Sequence, residues 1–346
     1  MFPGQFYTGI SPYRKARAKV DSRLFVVLFM TQVAQNTPIF IASHKAEQLR
    51  DLLSEALDAQ IAIGIAKTMA EVLANYANEP VVLGRPDFAA ELLKTCPPVE
   101  WVQSTWAGID PLLAIDNQDY QLTGVKGVFG PQMTEYVMAY LLAHEIKIQQ
   151  RMHSQEKQQW DETPSGTVKD KVLGVMGTGS IGRYVAEVAM QFAMKPIGFN
   201  SSGKLTAPFA QVYGRDSLEE FLSQCDYVFA VLPDTPATSN LLNEQAFAVM
   251  KDTAFLINAG RGNVVDERAL CGALIDKQLA GAVLDVFREE PLPVDSPLWD
   301  APNLLISGHV AAASNAPDIA QLFVENYRLF TSGQPLRHLV DFHKGY

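Results

Sequence analysis

The stretch that decides the fold is Lys171-Val-Leu-Gly-Val-Met-Gly177-Thr178-Gly179-Ser180-Ile181-Gly182. The apolar residues from 172 to 176 predict a buried strand, and Ile181, Val185, Val188, Ala189 and Phe192 recur at the spacing of a helix that follows it. Three glycines separate the two elements. Gly177 makes the tight turn, Gly179 lets a pyrophosphate approach the backbone, and Gly182 lets the helix pack closely on the strand. The phosphates would lie on the helix N-terminus, where unpaired N–H groups point outward. A dinucleotide site on Gly177, Thr178, Gly179, Ser180, Ile181 and Gly182 is the reading that follows; the plainer one is a glycine turn that holds nothing.

The same rhythm extends in both directions. Downstream, strands are predicted over residues 196–199, 227–232, 254–258, 282–286 and 303–307, with helices between them, notably over 266–277. Upstream, strands over 38–42, 60–63, 80–83 and 100–103 alternate with helices over 45–57, 67–76 and 86–93. Alternation of this kind implies parallel sheets covered on both faces. The fold class is therefore α/β: a Rossmann-type doubly wound parallel-sheet domain plus a flavodoxin-like α/β domain. Between the two, residues 132–150 read as one long helix. His144 lies in its apolar register as a packed or surface histidine, and a polar connection over 149–166 follows, with Trp160 anchoring it to the core.

Composition narrows the partners. A net charge of −10 over 346 residues argues against nucleic acid or an anionic membrane. Cys96, Cys225 and Cys271 are scattered, with no C-x-x-C spacing, which points to a reducing, cytoplasmic setting without a metal cage. Only His338 and His343 of the six histidines fall close together, so no zinc site is expected. Residues 1–36 form an N-terminal extension whose basic residues and apolar run at 24–30 resemble a signal peptide, but that run is short for a bilayer and a good cleavage site is missing. The extension either packs on the surface or precedes a true start near Met30, and the fold begins at Thr37.

In an open parallel sheet, ligands bind beyond the carboxyl ends of the strands, and those ends carry the candidate chemistry. The second strand of the dinucleotide unit ends in Asn200-Ser201-Ser202-Gly203-Lys204, without the acidic residue that holds a ribose 2′-hydroxyl. Hydroxyls and a lysine suit a 2′-phosphate, so NADP(H) is favoured and NAD(H) remains possible. Leu232, Pro233 and Thr238 belong to a turn that would lie along the dinucleotide. Arg261 follows Asn258-Ala259-Gly260, where its fork can reach a substrate carboxylate. Asp285 and Glu290 follow the fifth strand and His309 the sixth; a carboxylate beside the imidazole would hold it as a proton donor.

These motifs together, with Leu256-Ile-Asn-Ala-Gly-Arg261-Gly-Asn-Val-Val-Asp266, Leu284-Asp-Val-Phe-Arg-Glu-Glu290-Pro and His309-Val-Ala, resemble the D-isomer-specific 2-hydroxyacid dehydrogenases. Gln103-Ser-Thr-Trp106-Ala-Gly-Ile-Asp110 and the Gly130-to-Tyr136 stretch are similar to the glyoxylate and hydroxypyruvate reductase branch. The resemblance implies a catalytic domain over 37–128, a dinucleotide-binding domain over 129–310, and a C-terminal helix and tail over 311–346 that return to the first. It also implies a homodimer, a small 2-oxo acid as substrate, and hydride transfer that gives the D-2-hydroxy acid. Arg261 would bind the carboxylate, His309 donate the proton and Glu290 hold His309 protonated. Trp106, Ala107 and Gly108 would offer backbone N–H groups to the substrate, and Asn258, Ala259, Asp285 and His309 would line the nicotinamide side. Two departures stand out: Gly308 where many members have proline, and the missing acid at Asn200. A phosphoglycerate- or phosphonate-type dehydrogenase and a non-enzymatic corepressor-like sensor are the alternatives.

Overall fold

The computed structural model describes residues 36–95 and 99–345, so the apolar run at 24–30, Cys96 and Tyr346 lie outside the described residues. The first sheet comprises β1 (Ile39–Ala42), β2 (Ile63–Ala66), β3 (Val81–Gly84), β4 (Trp101–Ser104) and β5 (Gln121–Thr123), connected through α1 (Ala46–Ala56), α2 (Met69–Asn75), α3 (Pro86–Thr95) and α4 (Asp110–Leu113). Its order is β2-β1-β3-β4-β5 with every neighbour parallel, the flavodoxin-like arrangement. Every residue of β1, β3 and β4 is buried, as strands covered on both faces require.

Two helices, α5 (Gly130–Glu145) and α6 (Ile148–Glu156), lead to the second sheet. That sheet holds β6 (Val172–Met176), β7 (Lys195–Phe199), β8 (Val212–Tyr213), β9 (Tyr227–Ala230), β10 (Phe255–Asn258), β11 (Gly281–Leu284) and β12 (Leu304–Ile306). Its helices are α7 (Ser180–Gln191), α8 (Leu218–Gln224), α9 (Glu244–Ala248) and α10 (Glu267–Ile275). The order β12-β11-β10-β9-β6-β7-β8 is parallel throughout and reverses direction at β6, which places the crevice for a ligand above β6 and its glycine turn. The chain then crosses back through α11 (Ala316–Thr331), which packs on the first sheet. Phe323 stacks on Trp101 with centroids 5.0 Å apart, and Asn326 donates to Gln103 at 3.2 Å.

Several local expectations are corrected. The second strand begins at Ile63 and not at Gln60, because Asp58 Oδ1 accepts the Gln60 N–H at 2.9 Å and prolongs the turn. The helix expected over 132–150 breaks at Lys147, which takes a left-handed φ of 55°. There Gly166 N–H donates to the Glu145 carbonyl at 2.8 Å and Arg151 Nε to the Ile146 carbonyl at 2.7 Å, so the last turn is capped from outside. Trp160 does not anchor its segment to the core: it is 90% exposed and its indole N–H reaches only Glu162. The two-residue strand β8 was too short to announce itself.

Candidate active site

The carboxyl ends of the two sheets face one another across a cleft of about 1980 Å³. On one wall stands the glycine turn. Gly177 has φ +112°, and a Cβ there would sit 2.8 Å from the Val231 carbonyl; one at Gly182 would collide with the Gly177 carbonyl. Gly179, the N-cap of α7, faces open space. All six residues from Gly177 to Gly182 line the cleft, and the first N–H groups of α7 have no acceptor within the helix. The turn thus leaves exposed backbone amides and room where a dinucleotide pyrophosphate needs them.

Next to it, Asn200 ties the end of β7 to that turn by donating to Thr178 Oγ1 at 3.0 Å. Asn200 and Ser201 line the cleft, whereas Ser202 and Lys204 do not. Asn200 Oδ1 accepts from both the Ser202 N–H and hydroxyl, and Gly203 at φ +67° reverses the chain. Arg215, which sequence reasoning missed, lines the same end of the cleft and donates to the Ala237 carbonyl at 2.9 Å. Leu232, Pro233 and Thr238 border it too, the Thr238 hydroxyl closing that turn on the Pro233 carbonyl at 2.7 Å.

The ends of β10, β11 and β12 bring three side chains together. Asn258 is fully buried and does not line the cleft, unlike Ala259; its amide accepts from Gly260 N–H and donates to the Arg261 carbonyl, fixing the arginine turn. Glu290 Oε1 accepts from the Phe287 N–H at 2.9 Å, and Oε2 lies 2.7 Å from Nδ1 of His309. The imidazole is therefore held by one nitrogen with Nε2 left for a ligand. His309 takes a left-handed φ of 56°, unfavourable for a residue with a Cβ. Asp285 over-determines it: Oδ1 accepts from Val310 N–H and the Ser307 hydroxyl, Oδ2 from Ala311 N–H, and the Asp285 carbonyl from His309 N–H at 2.7 Å. Behind Ser307, Tyr136 donates at 2.6 Å, and burial pushes its phenol up so that it stays protonated. The Asp285 carboxylate is thus engaged by the histidine loop itself.

From the facing wall comes the loop after β4. Ser104 Oγ bonds both the N–H and the carbonyl of Trp106, and Ala107 and Gly108 follow along the cleft. The Arg85 guanidinium lies 4.5 Å from the Trp106 ring centroid and is bidentate to Asp87 at 3.0 and 2.7 Å. Arg261 spans the gap, its Nε 3.2 Å from Asp110 Oδ2. Among the described residues, eight lysines and arginines line the cleft against four acidic residues, in a chain of net charge −10. No cluster that could hold a metal ion occurs among the described residues, and none of their helices is long and apolar enough to cross a membrane.

Comparison with known proteins places the chain in a family. Residues 138–311 match the family model described as D-isomer specific 2-hydroxyacid dehydrogenase, NAD binding domain. The chain is 34% identical over 218 residues to glyoxylate/hydroxypyruvate reductase A of Photorhabdus laumondii, covering 63% of this chain and 69% of that one. A crystal structure of a D-isomer specific 2-hydroxyacid dehydrogenase family protein from Aeromonas salmonicida superposes with a TM-score of 0.84 at 38% identity, over 89% of this chain and 99% of the other. A D-isomer specific 2-hydroxyacid dehydrogenase from Xanthobacter autotrophicus, solved with NADPH and MES, gives a TM-score of 0.82 at 28% identity, over 90% and 100%.

Proposed function

Because the chain belongs to the D-isomer specific 2-hydroxyacid dehydrogenase family, we propose that it reduces a small 2-oxo acid of the glyoxylate or hydroxypyruvate kind to the D-2-hydroxy acid, with NADPH preferred. The observation that carries this reading is the meeting of Arg261 and the Glu290–His309 pair in one cleft with the glycine turn. When bound, the reduced nicotinamide supplies the hydride.

The chain's own residues do the rest. Arg261 binds the carboxylate and draws electron density from the ketone, aided by the backbone N–H groups of Ala107 and Gly108; the Trp106 N–H, expected to join them, is instead given to Ser104 Oγ at 3.0 Å. His309 gives the ketone oxygen its proton from Nε2, and Glu290 stabilises the imidazolium before transfer. Asp285 keeps the histidine loop in place. Gly177 to Gly182 hold the pyrophosphate, and Asn200, Ser201 and Arg215 surround the adenosine ribose, where a cation beside a β7 end that carries Asn200 in place of an acid favours a 2′-phosphate. The relative solved with NADPH supports the same preference. Arg85, the basic group that a phosphoglycerate-type substrate would want, is neutralised by Asp87.

The homodimer belongs to this reading as well. Ile146, Ile148, Met152, Trp160, Tyr184 and Met190 leave large apolar side chains exposed around α6 and α7, a surface suited to a second copy. Cys225 and Cys271 are free, as a cytoplasmic setting favours.

The test is to mix purified protein with glyoxylate, hydroxypyruvate and pyruvate, and follow loss of nicotinamide absorbance with NADPH and NADH in parallel. Fast loss with NADPH supports the reading. Loss with NADH alone overturns the cofactor preference, and no loss with either across the panel overturns the reductase.

A further inference from the structure

We propose that Asp110 is a positioning residue for the reaction: from across the cleft it holds the Nε edge of Arg261, so that the terminal nitrogens of the guanidinium face the 2-oxo acid. The inference rests on the function proposed above and assigns a task to a side chain that has no role in the mechanism so far.

A guanidinium carries five N–H donors in one rigid plane. In Arg261, Nε donates to Asp110 Oδ2 at 3.2 Å and Nη1 to the Gly260 carbonyl at 2.8 Å. Three protons then remain, all on Nη1 and Nη2. Those two nitrogens form the edge that matches paired oxygens, whether of a carboxylate or of a carboxylate and its adjacent ketone. Nη2 also lies against Gly108, where a Cβ would collide with it, so the loop that carries Asp110 touches the guanidinium at two points.

The pair joins the two halves of the molecule. Asp110 opens α4 beside the first sheet, and Arg261 follows β10 of the second, 151 residues away in sequence. Their contact exists only while the two walls of the cleft approach each other, which couples that approach to the arginine's orientation. The Arg261 side chain is 24% exposed and that of Asp110 49%, and ion pairs this wet add little to stability. Orientation, more than stability, is what the contact supplies.

Asp110→Ala and Asp110→Asn are compared with the wild type in three measurements: kcat and KM for hydroxypyruvate, the Kd of oxalate for the NADP⁺-loaded protein by calorimetry, and the Kd of NADPH by fluorescence. Loss of a hydrogen bond to a charged group predicts about a tenfold rise in KM and in oxalate Kd for Asp110→Ala. NADPH affinity and melting temperature should stay close to wild type. Asp110→Asn keeps an oxygen that accepts from Nε and should stay within about threefold of wild type, since the geometry survives. Wild-type-like oxalate binding by Asp110→Ala overturns the proposal. So does an Asp110→Asn loss as large as that of Asp110→Ala, a parallel loss of NADPH affinity, or a wild type that does not bind oxalate. If the wild type reduces no 2-oxo acid, the functional reading falls, and the oxalate measurement still decides the role of Asp110.

Discussion

Nδ1 of His309 lies 2.7 Å from Oε2 of Glu290, and the other oxygen of the same carboxylate accepts the Phe287 N–H at 2.9 Å. The glutamate is thus braced by the backbone of its own loop while it grips the imidazole. A glutamine would keep the brace but present an amide in place of one oxygen. Glu290→Gln should lower kcat on the order of a hundredfold with a small change in NADPH affinity, because the amide cannot stabilise an imidazolium. Steady-state kinetics with a fluorescence titration of NADPH checks this, and an unchanged kcat would remove Glu290 from the mechanism.

His309 itself is best replaced by asparagine, which tolerates the φ of 56° that the loop imposes. His309→Asn should fold normally, bind NADPH, and lose about a hundredfold to ten-thousandfold in kcat, the usual worth of a general acid. Near-native turnover in that variant would move the proton donor elsewhere.

Arg261→Lys retains charge but loses the planar fork and the Nε bond to Asp110. The expected loss in kcat/KM is on the order of a hundredfold, with part of it in kcat because the ketone is no longer polarised. A change confined to KM would show that Arg261 only captures the carboxylate.

The cleft is basic although the chain as a whole is acidic, a distribution that steers small anions inward. Added salt screens such a field over about 10 Å at 0.1 M. The value of kcat/KM for the 2-oxo acid should therefore fall as an inert salt is raised. A flat salt profile would show that the field does not guide the substrate.

Away from the site, burial holds the His144 imidazole below the ordinary histidine range; its ring packs 4.5 Å from that of Phe255. The unfolded chain then binds more protons than the folded one below about pH 6.5, so stability present above that pH is lost on acidification through the folded value. His338 is lowered for the same reason and contributes in the same direction. Thermal melts from neutral to mildly acidic pH should show this fall, and His144→Gln should make it shallower. An equal slope in the variant would refute the assignment to His144.

Much of this architecture was legible because short apolar runs bounded by glycine and proline read as strands even without neighbours. The glycine turn, Arg261, Glu290 and His309 stood out because each follows such a run. What escaped notice depends on tertiary contacts. Arg215 follows β8, whose two residues give no periodic signal, and the partner of Asp110 lies 151 residues away in sequence, across the cleft. The break at Lys147 and the exposure of Trp160 were hidden for a related reason: the helix is ended by Gly166 and Arg151, which approach through the fold.

The most direct test of the central claim is to follow the transferred hydrogen. NADPH deuterated at its transferable position is incubated with the protein and hydroxypyruvate, and the product is examined by mass spectrometry and chiral chromatography. The account predicts D-glycerate with one deuterium on the carbinol carbon, and very slow formation of the same product by His309→Asn. Product without deuterium, the L enantiomer, or no product at all would contradict it.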